Sequence, residues 1–206
     1  MNLELEKFLK TFFAYNKDSP HNERLLNRPF KWQGVKEDLD LINSLDPILV
    51  LDLGCGDNRY KGLVNNLIGI DIADKPHVDI VSDFTNLNFD DESVDAIIAY
   101  GSINFGDEDL IDQQIKESFR VLKHKGVFCI RAYASDAQFY FNWTEDLCKH
   151  YTKKYNFKLY KEPTTVYRLN QKGQVNKKWK DRRSARFHKN EEKKRELTRL
   201  HWVWQK

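Results

Sequence analysis

A chain of 206 residues has room for one sizeable hydrophobic core and falls short of two. Its composition, 40% hydrophobic and 32% charged, is that of a globular protein, and no apolar run reaches the roughly 18 residues a membrane span needs. The net charge of +3 conceals an asymmetry: residues 172–195 hold eleven Lys/Arg against three acids, a surplus of +8, so the rest of the chain sums to −5.

The start, "MNLELEKFLKTFFAYNK", mixes acids among its apolar residues and lacks a small-residue cleavage site. A helix over 3–14 is expected there rather than a signal peptide, and the expected location is cytoplasmic. An irregular connector with two prolines and a glycine follows, and "VKEDLDLINSL" (35–45) reads as a helix stopped by Asp46-Pro47. Then the rhythm changes. "ILVLDL", "LIGIDI", "VDIVS", "DAIIAY" and "GVFCIR" are short, branched and nearly continuous in apolar character, as strands covered on both faces are. A short helix at "YKGLVNNL" and a longer one at 108–123 alternate with them, which predicts a parallel sheet in a layered α/β domain. Only "ADKPH" separates the second strand from the third, so that crossover is expected to have shrunk to a turn. A helix over 136–155, a strand-like 157–170 broken or edged at Pro163, and a last strand at "RLHWVWQK" complete the chain. One domain over 1–206 is expected: an N-terminal helix and lid-like connector (1–34), a central core (35–135), and a C-terminal half (136–206) holding the basic insertion 172–195. The cysteines Cys55, Cys129 and Cys148 are scattered, with no C-x-x-C and no histidine at metal-ligand spacing, which fits reduced thiols and argues against a bound metal.

The chemistry starts at "VLDLGCG". Gly54 and Gly56, one residue apart after a strand, let the backbone turn tightly and approach a ligand. Asp71 ends the second strand, placed to accept both hydroxyls of a ribose, and Asp83-Phe84 ends the third. A nicotinamide-binding loop would want a third glycine where Arg59 stands. Together "VLDLGCG", "IGIDI", "VSDFTNLNFDDESVDAIIAY" and "FRVLKHKGVFCI" resemble the class I S-adenosylmethionine-dependent methyltransferases, over about residues 35–132. The segment "NLNFDDESVDAI" is similar to the L-P-F-x-D-x-S-F-D stretch of the small-molecule enzymes, with Asn88 in place of the proline.

The resemblance implies a Rossmann-like three-layer α/β sandwich, a mostly parallel seven-stranded sheet with an antiparallel last strand, and S-adenosyl-L-methionine as cofactor. It implies that Gly54, Cys55 and Gly56 lie against the methionine part, with Asp52 ordering the loop and the amino end. By the same resemblance Asp71 holds the ribose, with Ile72 beside it in the cofactor site, Asp83 and Phe84 hold the adenine, and Tyr100 and Gly101 lie by the methionine and the transferred methyl. Cys55 is expected to pack rather than attack.

A sulfonium methyl is electrophilic without help, so the chain need not advertise a catalytic residue. Ser102 and Asn104, after the fourth strand, either orient a substrate or satisfy the loop backbone. Tyr15 and Trp32, in or beside the connector, are lid candidates. "SINF" (102–105) lacks both prolines of the tetrad found in base-amine methyltransferases, and no cysteine follows a proline as ring-carbon enzymes require. A small-molecule acceptor is therefore favoured. The alternative is a nucleic-acid methyltransferase: in a helical basic segment Arg182, Arg186, Lys189 and Lys193 would form one cationic stripe, with Trp179 and Phe187 interleaved. A third possibility is a cofactor-binding protein without transferase activity.

Overall fold

The computed structural model describes residues 30, 32–134, 140–170, 172, 174–175 and 198–206. The expected N-terminal helix with Tyr15, and the segment carrying Arg182, Arg186, Lys189 and Lys193, lie outside the described residues.

Helix α1 (Val35–Ser44) forms where Val35, Leu39 and Ile42 recur on one face, with Glu37 and Asp38 in its first turn. Strand β1 (Val50–Leu53) is buried along its whole length, as its unbroken apolar character requires. It pairs in parallel with β2 (Leu67–Asp71) on one side and β4 (Val94–Tyr100) on the other. Helix α2 (Glu108–Val121) is capped by Asp107, whose carboxylate accepts from the Leu110 N–H at 3.0 Å. It runs directly into β5 (Leu122–Ala134), which pairs in parallel with β4. Helix α3 (Glu145–Lys154), β6 (Lys158–Val166) and β7 (Thr198–Gln205) follow. With the short β3 (Ile80–Val81) beside β2, the seven strands lie in the order β3-β2-β1-β4-β5-β7-β6, with β7 antiparallel to both its neighbours. Pro163 sits on the edge strand β6, within a register shift between Lys161 and Thr164, where its missing N–H costs the ladder least.

Alternation along the strands sorts the core into two layers. Leu51, Leu53, Ile97, Ala99, Phe128, Ile130, Trp202 and Trp204 pack under α2 and α3 with Ile111, Ile115 and Tyr151. Val50, Ala96, Ile98, Val127, Cys129 and Val203 pack under α1 with Leu39 and Ile42. The three cysteines are free and buried. Among the described residues no helix is long and apolar enough to cross a membrane, and no group of three His, Cys, Asp or Glu is gathered as for a metal.

Three expected elements differ. "YKGLVNNL" is not a helix but a series of turns, because Gly62 and two asparagines favour bends and Asn43 offers a competing closure. The Asn43 amide donates to Leu63 O at 2.9 Å and its oxygen accepts from Asn65 N at 3.0 Å. The third strand, β3, is reduced to Ile80–Val81, joined to β2 by turns. The helix expected over 136–155 begins only at Glu145, where Thr144 Oγ1 accepts from Leu147 N at 3.2 Å. Before it the chain at 141–144 has no regular structure, held by the buried Trp143, whose indole N–H donates to Ile103 O at 2.8 Å.

Candidate functional site

The carboxyl ends of β1, β2, β4 and β5 and the amino end of the antiparallel β7 meet at one edge of the sheet. There the glycine loop leaves β1. Gly54 and Gly56 have φ of 71° and 60°, the left-handed region in which a side chain is strained. The N–H groups of Gly54 and Cys55 both donate to Ile70 O, at 2.7 and 3.0 Å, which ties the loop to β2. The two glycines do different work. A Cβ on Gly54 would lie 2.3 Å from Ser102 Cβ, whereas one on Gly56 would meet nothing within 4 Å. The first glycine lets the loop pass the end of β4, and the second faces open space.

Asp71 is buried and closes the loop from β2: its carboxylate accepts from Gly56 N at 2.9 Å and from Ala73 N at 3.0 Å. Each oxygen keeps a second lone pair for a hydroxyl donor. Ile72, next along, is half-buried. Asp52 is also buried, and its Oδ2 has no hydrogen-bond partner among the described residues. Burial pushes its carboxyl up to about 7, a rise reinforced by Asp71 and opposed by Arg59 and Arg131. The Cys55 thiol is pushed far up by burial and by the charges of Asp52 and Asp71, so it stays protonated and packs rather than attacks.

Asp83 caps its own turn, accepting from Thr85 N at 2.9 Å. The Phe84 ring belongs to the buried cluster with Leu51, Ile70 and Leu87, so its side chain is core. The Tyr100 hydroxyl donates to Asp38 at 2.5 Å, and its phenol is raised well above its ordinary value, chiefly by burial, so it is no base. Gly101 donates to Arg131 O at 2.7 Å. Asn104 is fully buried and structural: its oxygen accepts from Tyr133 N at 3.3 Å and its main-chain oxygen from Phe141 N at 3.0 Å. Ser102 differs, since its buried Oγ has no hydrogen-bond partner among the described residues. Trp32 is no surface flap: it is 5% exposed, bridged to Arg168, with its ring across two guanidinium groups.

Those two guanidiniums belong to residues that the strand patterns concealed. Arg131 and Tyr133 on β5, with Arg199 and His201 on β7, point to the α1 face of the sheet, at alternate cross-strand pairs, Arg131 with His201 and Tyr133 with Arg199. Arg131 Cζ lies 4.6 Å from the Tyr100 ring centroid and 5.2 Å from that of Trp32; Arg199 Cζ lies 4.2 Å from Trp32 and 3.7 Å from Tyr133. Arg199 also donates to the Tyr133 hydroxyl. Behind them Asp38, fully buried, accepts from Tyr100, from His201 Nε2 at 2.5 Å and from Lys161 at 2.8 Å. Burial alone would raise the Asp38 carboxyl; the bonds from His201, Lys161 and Tyr100 outweigh it and hold it below the usual range. Two surface clefts, about 420 and 580 Å³, lie against Phe119 and Lys206 at the opposite end of the strands, away from the glycine loop.

A seven-stranded sheet of this order, with a glycine loop after β1 and a buried acid ending β2, is the Rossmann-like fold of the class I methyltransferases. Residues 51–130 match the family described as "Methyltransferase domain". No curated protein is significantly similar in sequence. Among solved structures, a Burkholderia thailandensis 1,6-didemethyltoxoflavin-N1-methyltransferase with bound 1,6-didemethyltoxoflavin and S-adenosylhomocysteine is 14% identical, with a TM-score of 0.63 over 98% of this chain and 89% of that one. A putative methyltransferase in complex with the Haloferax volcanii Trm112 activator is 17% identical, with a TM-score of 0.62 over 94% and 96%. The [4+2]-cyclase SpnF is 15% identical, with a TM-score of 0.57 over 84% and 81%. The family match over residues 51–130 and the likeness of these folds support a class I S-adenosylmethionine-dependent methyltransferase, a family whose cofactor is S-adenosylmethionine.

Proposed function

We infer that the protein methylates a small-molecule acceptor and holds its cofactor on the glycine loop. The residues fit the cofactor. Asp52 presents a buried carboxylate oxygen with no hydrogen-bond partner among the described residues, the complement of an α-ammonium. Gly56 leaves space where any side chain would project, and Asp71 keeps lone pairs for the ribose hydroxyls. Asp83 stands at the end of β3 for the adenine amine. With the Phe84 ring in the core, its neighbouring backbone rather than its ring is what remains for the base. When bound, S-adenosylmethionine supplies an electrophilic methyl on its sulfonium.

The chain's share of catalysis is then to hold a nucleophile in line and to exclude water. Tyr133 and Arg199 flank Gly101, and Ser102, whose Oγ has no hydrogen-bond partner among the described residues, is the residue placed to orient a polar group. The observation that carries the small-molecule reading is burial. The two arginines at the site are each 5% exposed, which suits a ligand engulfed by the protein, whereas a polymer's phosphates are met by exposed cations. The nucleic-acid alternative rests on the sequence surplus of +8 over residues 172–195.

Calorimetry should give S-adenosylhomocysteine a micromolar Kd, weakened about tenfold or more by Asp71→Ala. Methyl-labelled cofactor, incubated with a cell extract, should pass label to the low-mass fraction. Label confined to nucleic acid would overturn the small-molecule reading, and retention without transfer would favour a binder.

A further inference from the structure

Tyr133 lies along the end of β4, and its hydroxyl has a proton to spare. A Cβ on Gly101 would be 3.6 Å from Tyr133 Cε2, an ordinary contact, and the hydroxyl oxygen is two bonds beyond that carbon. Gly101 has a φ of 87°, so the strand turns away there with no side chain between its backbone and the tyrosine. The tyrosine itself is half-buried, neither sealed in the core nor free on the surface.

The ring is held from several sides. Arg199 covers one face, its Cζ 3.7 Å from the ring centroid, and donates to the hydroxyl oxygen. Tyr140 meets the ring edge to face, with centroids 5.2 Å apart and planes at 74°. The backbone is fixed as well: the Tyr133 N–H donates to Asn104 Oδ1 at 3.3 Å, and its carbonyl accepts from Trp143 N at 3.4 Å. A group pinned in this way can orient a ligand without first being ordered itself.

Because the hydroxyl oxygen accepts from Arg199, its own proton is left to donate, and no described residue accepts it. A phenolic O–H lies in the ring plane and turns to one edge or the other. The Cε2 edge is the one that faces Gly101. A hydroxyl that accepts from a cation is in turn a stronger donor.

We propose that Tyr133 is a specificity-determining residue whose hydroxyl donates to the methyl acceptor, and that this acceptor carries an oxygen at the methylated atom or next to it. The proposal rests on the methyltransferase reading above, with the methyl delivered beside Gly101, and narrows its substrate class. Attack on the sulfonium methyl uses one lone pair, held in line with the breaking bond. An oxygen nucleophile, or a nitrogen with a carbonyl beside it, offers another lone pair to Tyr133. A simple amine has spent the only one it has, and sulfur accepts weakly.

The test uses the full chain, methyl-labelled S-adenosylmethionine and the low-mass fraction of a cell extract. The fraction is diluted in series, so that the half-saturating amount and the maximal rate are read separately. Tyr133→Phe keeps the ring and removes the hydroxyl. The ratio of maximal rate to half-saturating amount should fall about tenfold or more, with S-adenosylhomocysteine affinity within about twofold of the wild type. Tyr133→4-aminophenylalanine restores a donor at the same place but is a poor acceptor for Arg199, and it should recover most of the loss. On the wild type, mass spectrometry of the labelled product should find an oxygen at the methylated atom or next to it, which decides the matter should Tyr133→Phe not fold. Unchanged transfer by Tyr133→Phe overturns the proposal. So does Tyr133→4-aminophenylalanine no better than Tyr133→Phe, because the hydroxyl would then serve only to hold Arg199. An equal loss of S-adenosylhomocysteine affinity, or a labelled product without such an oxygen, overturns it too. Failure of the underlying reading is separate: the wild type would not bind S-adenosylhomocysteine, or would pass label to no low-mass compound.

Discussion

Gly54 and Gly56 have the same backbone strain and opposite surroundings, which makes them a matched pair for experiment. Alanine at either position must hold a left-handed φ, a cost of about 1–2 kcal/mol. At Gly54 the new methyl would also meet Ser102 Cβ at 2.3 Å. That atom is fixed to backbone, so the overlap is relieved only by moving the loop or the end of β4, at about 1–3 kcal/mol. Gly54→Ala should therefore cost about 2–5 kcal/mol, or roughly 5–15 °C in Tm for a chain of this size. Gly56→Ala should cost only the backbone term and melt within a few degrees of the wild type. Its methyl projects into the space assigned to the cofactor, so S-adenosylhomocysteine affinity should fall about tenfold or more. A double-mutant cycle sharpens the point. Ser102→Gly added to Gly54→Ala should recover the overlap and leave the backbone cost, a coupling of about 1–3 kcal/mol. Differential scanning fluorimetry gives the melts and calorimetry the affinities. Gly56→Ala with unchanged affinity would refute the assignment of that space, and an absent coupling would refute the close approach.

Asp52 and Asp38 should give opposite slopes against pH. The Asp52 carboxyl binds its proton more tightly folded than unfolded, so its contribution to stability is full below about pH 4 and lost as pH rises towards its folded value of about 7. Asp52→Asn should flatten that decline, and cofactor binding, which favours the carboxylate, should release protons below pH 7 in calorimetry with two buffers. Asp38 is held low, so its contribution is present above the ordinary carboxylate range and lost as pH falls through its folded value. Asp38→Ala strands His201 and Lys161 and should cost about 3–5 kcal/mol, read in melts between pH 5 and 7. Asp107→Ala removes the cap of α2 and should cost about 1 kcal/mol with no change in cofactor affinity.

The strands, their order and the glycine loop were legible because each leaves a local mark: "ILVLDL" is apolar on both faces, and Gly54, Gly56 and Asp71 stand at fixed distances along the chain. The arginine pair and the Asp38 cluster left no such mark. Asp38 meets Lys161 and His201 across 123 and 163 residues, and the sequence spacing of its partners carries no trace of that. One clue did exist. Arg131, Arg199 and His201 interrupt otherwise apolar strands at alternate positions, which puts them on one face of the sheet. A charge in a strand buried on both sides has to be answered by something. The missing helix after the glycine loop had no clue of comparable strength, since the decision lay with Asn43, a residue of α1.

The place of β7 in the sheet carries a consequence for how the site comes into being. Among the described strands β6 joins the sheet through β7, although β7 comes later in the chain. Its edge position is thus reserved until the final strand slides in beside β5, closing pairs such as Phe128 with Trp204 that loop entropy makes slow to form. The same insertion brings Arg199 to Arg131. A slip of one residue would turn both tryptophans outward and drive Arg199 and His201 into the aromatic layer, so the register is enforced from both faces at once. Refolding should therefore deliver a chain that grips its cofactor before Arg131 and Tyr133 gain their β7 neighbours. The step that completes the sheet is also the step that arms the site.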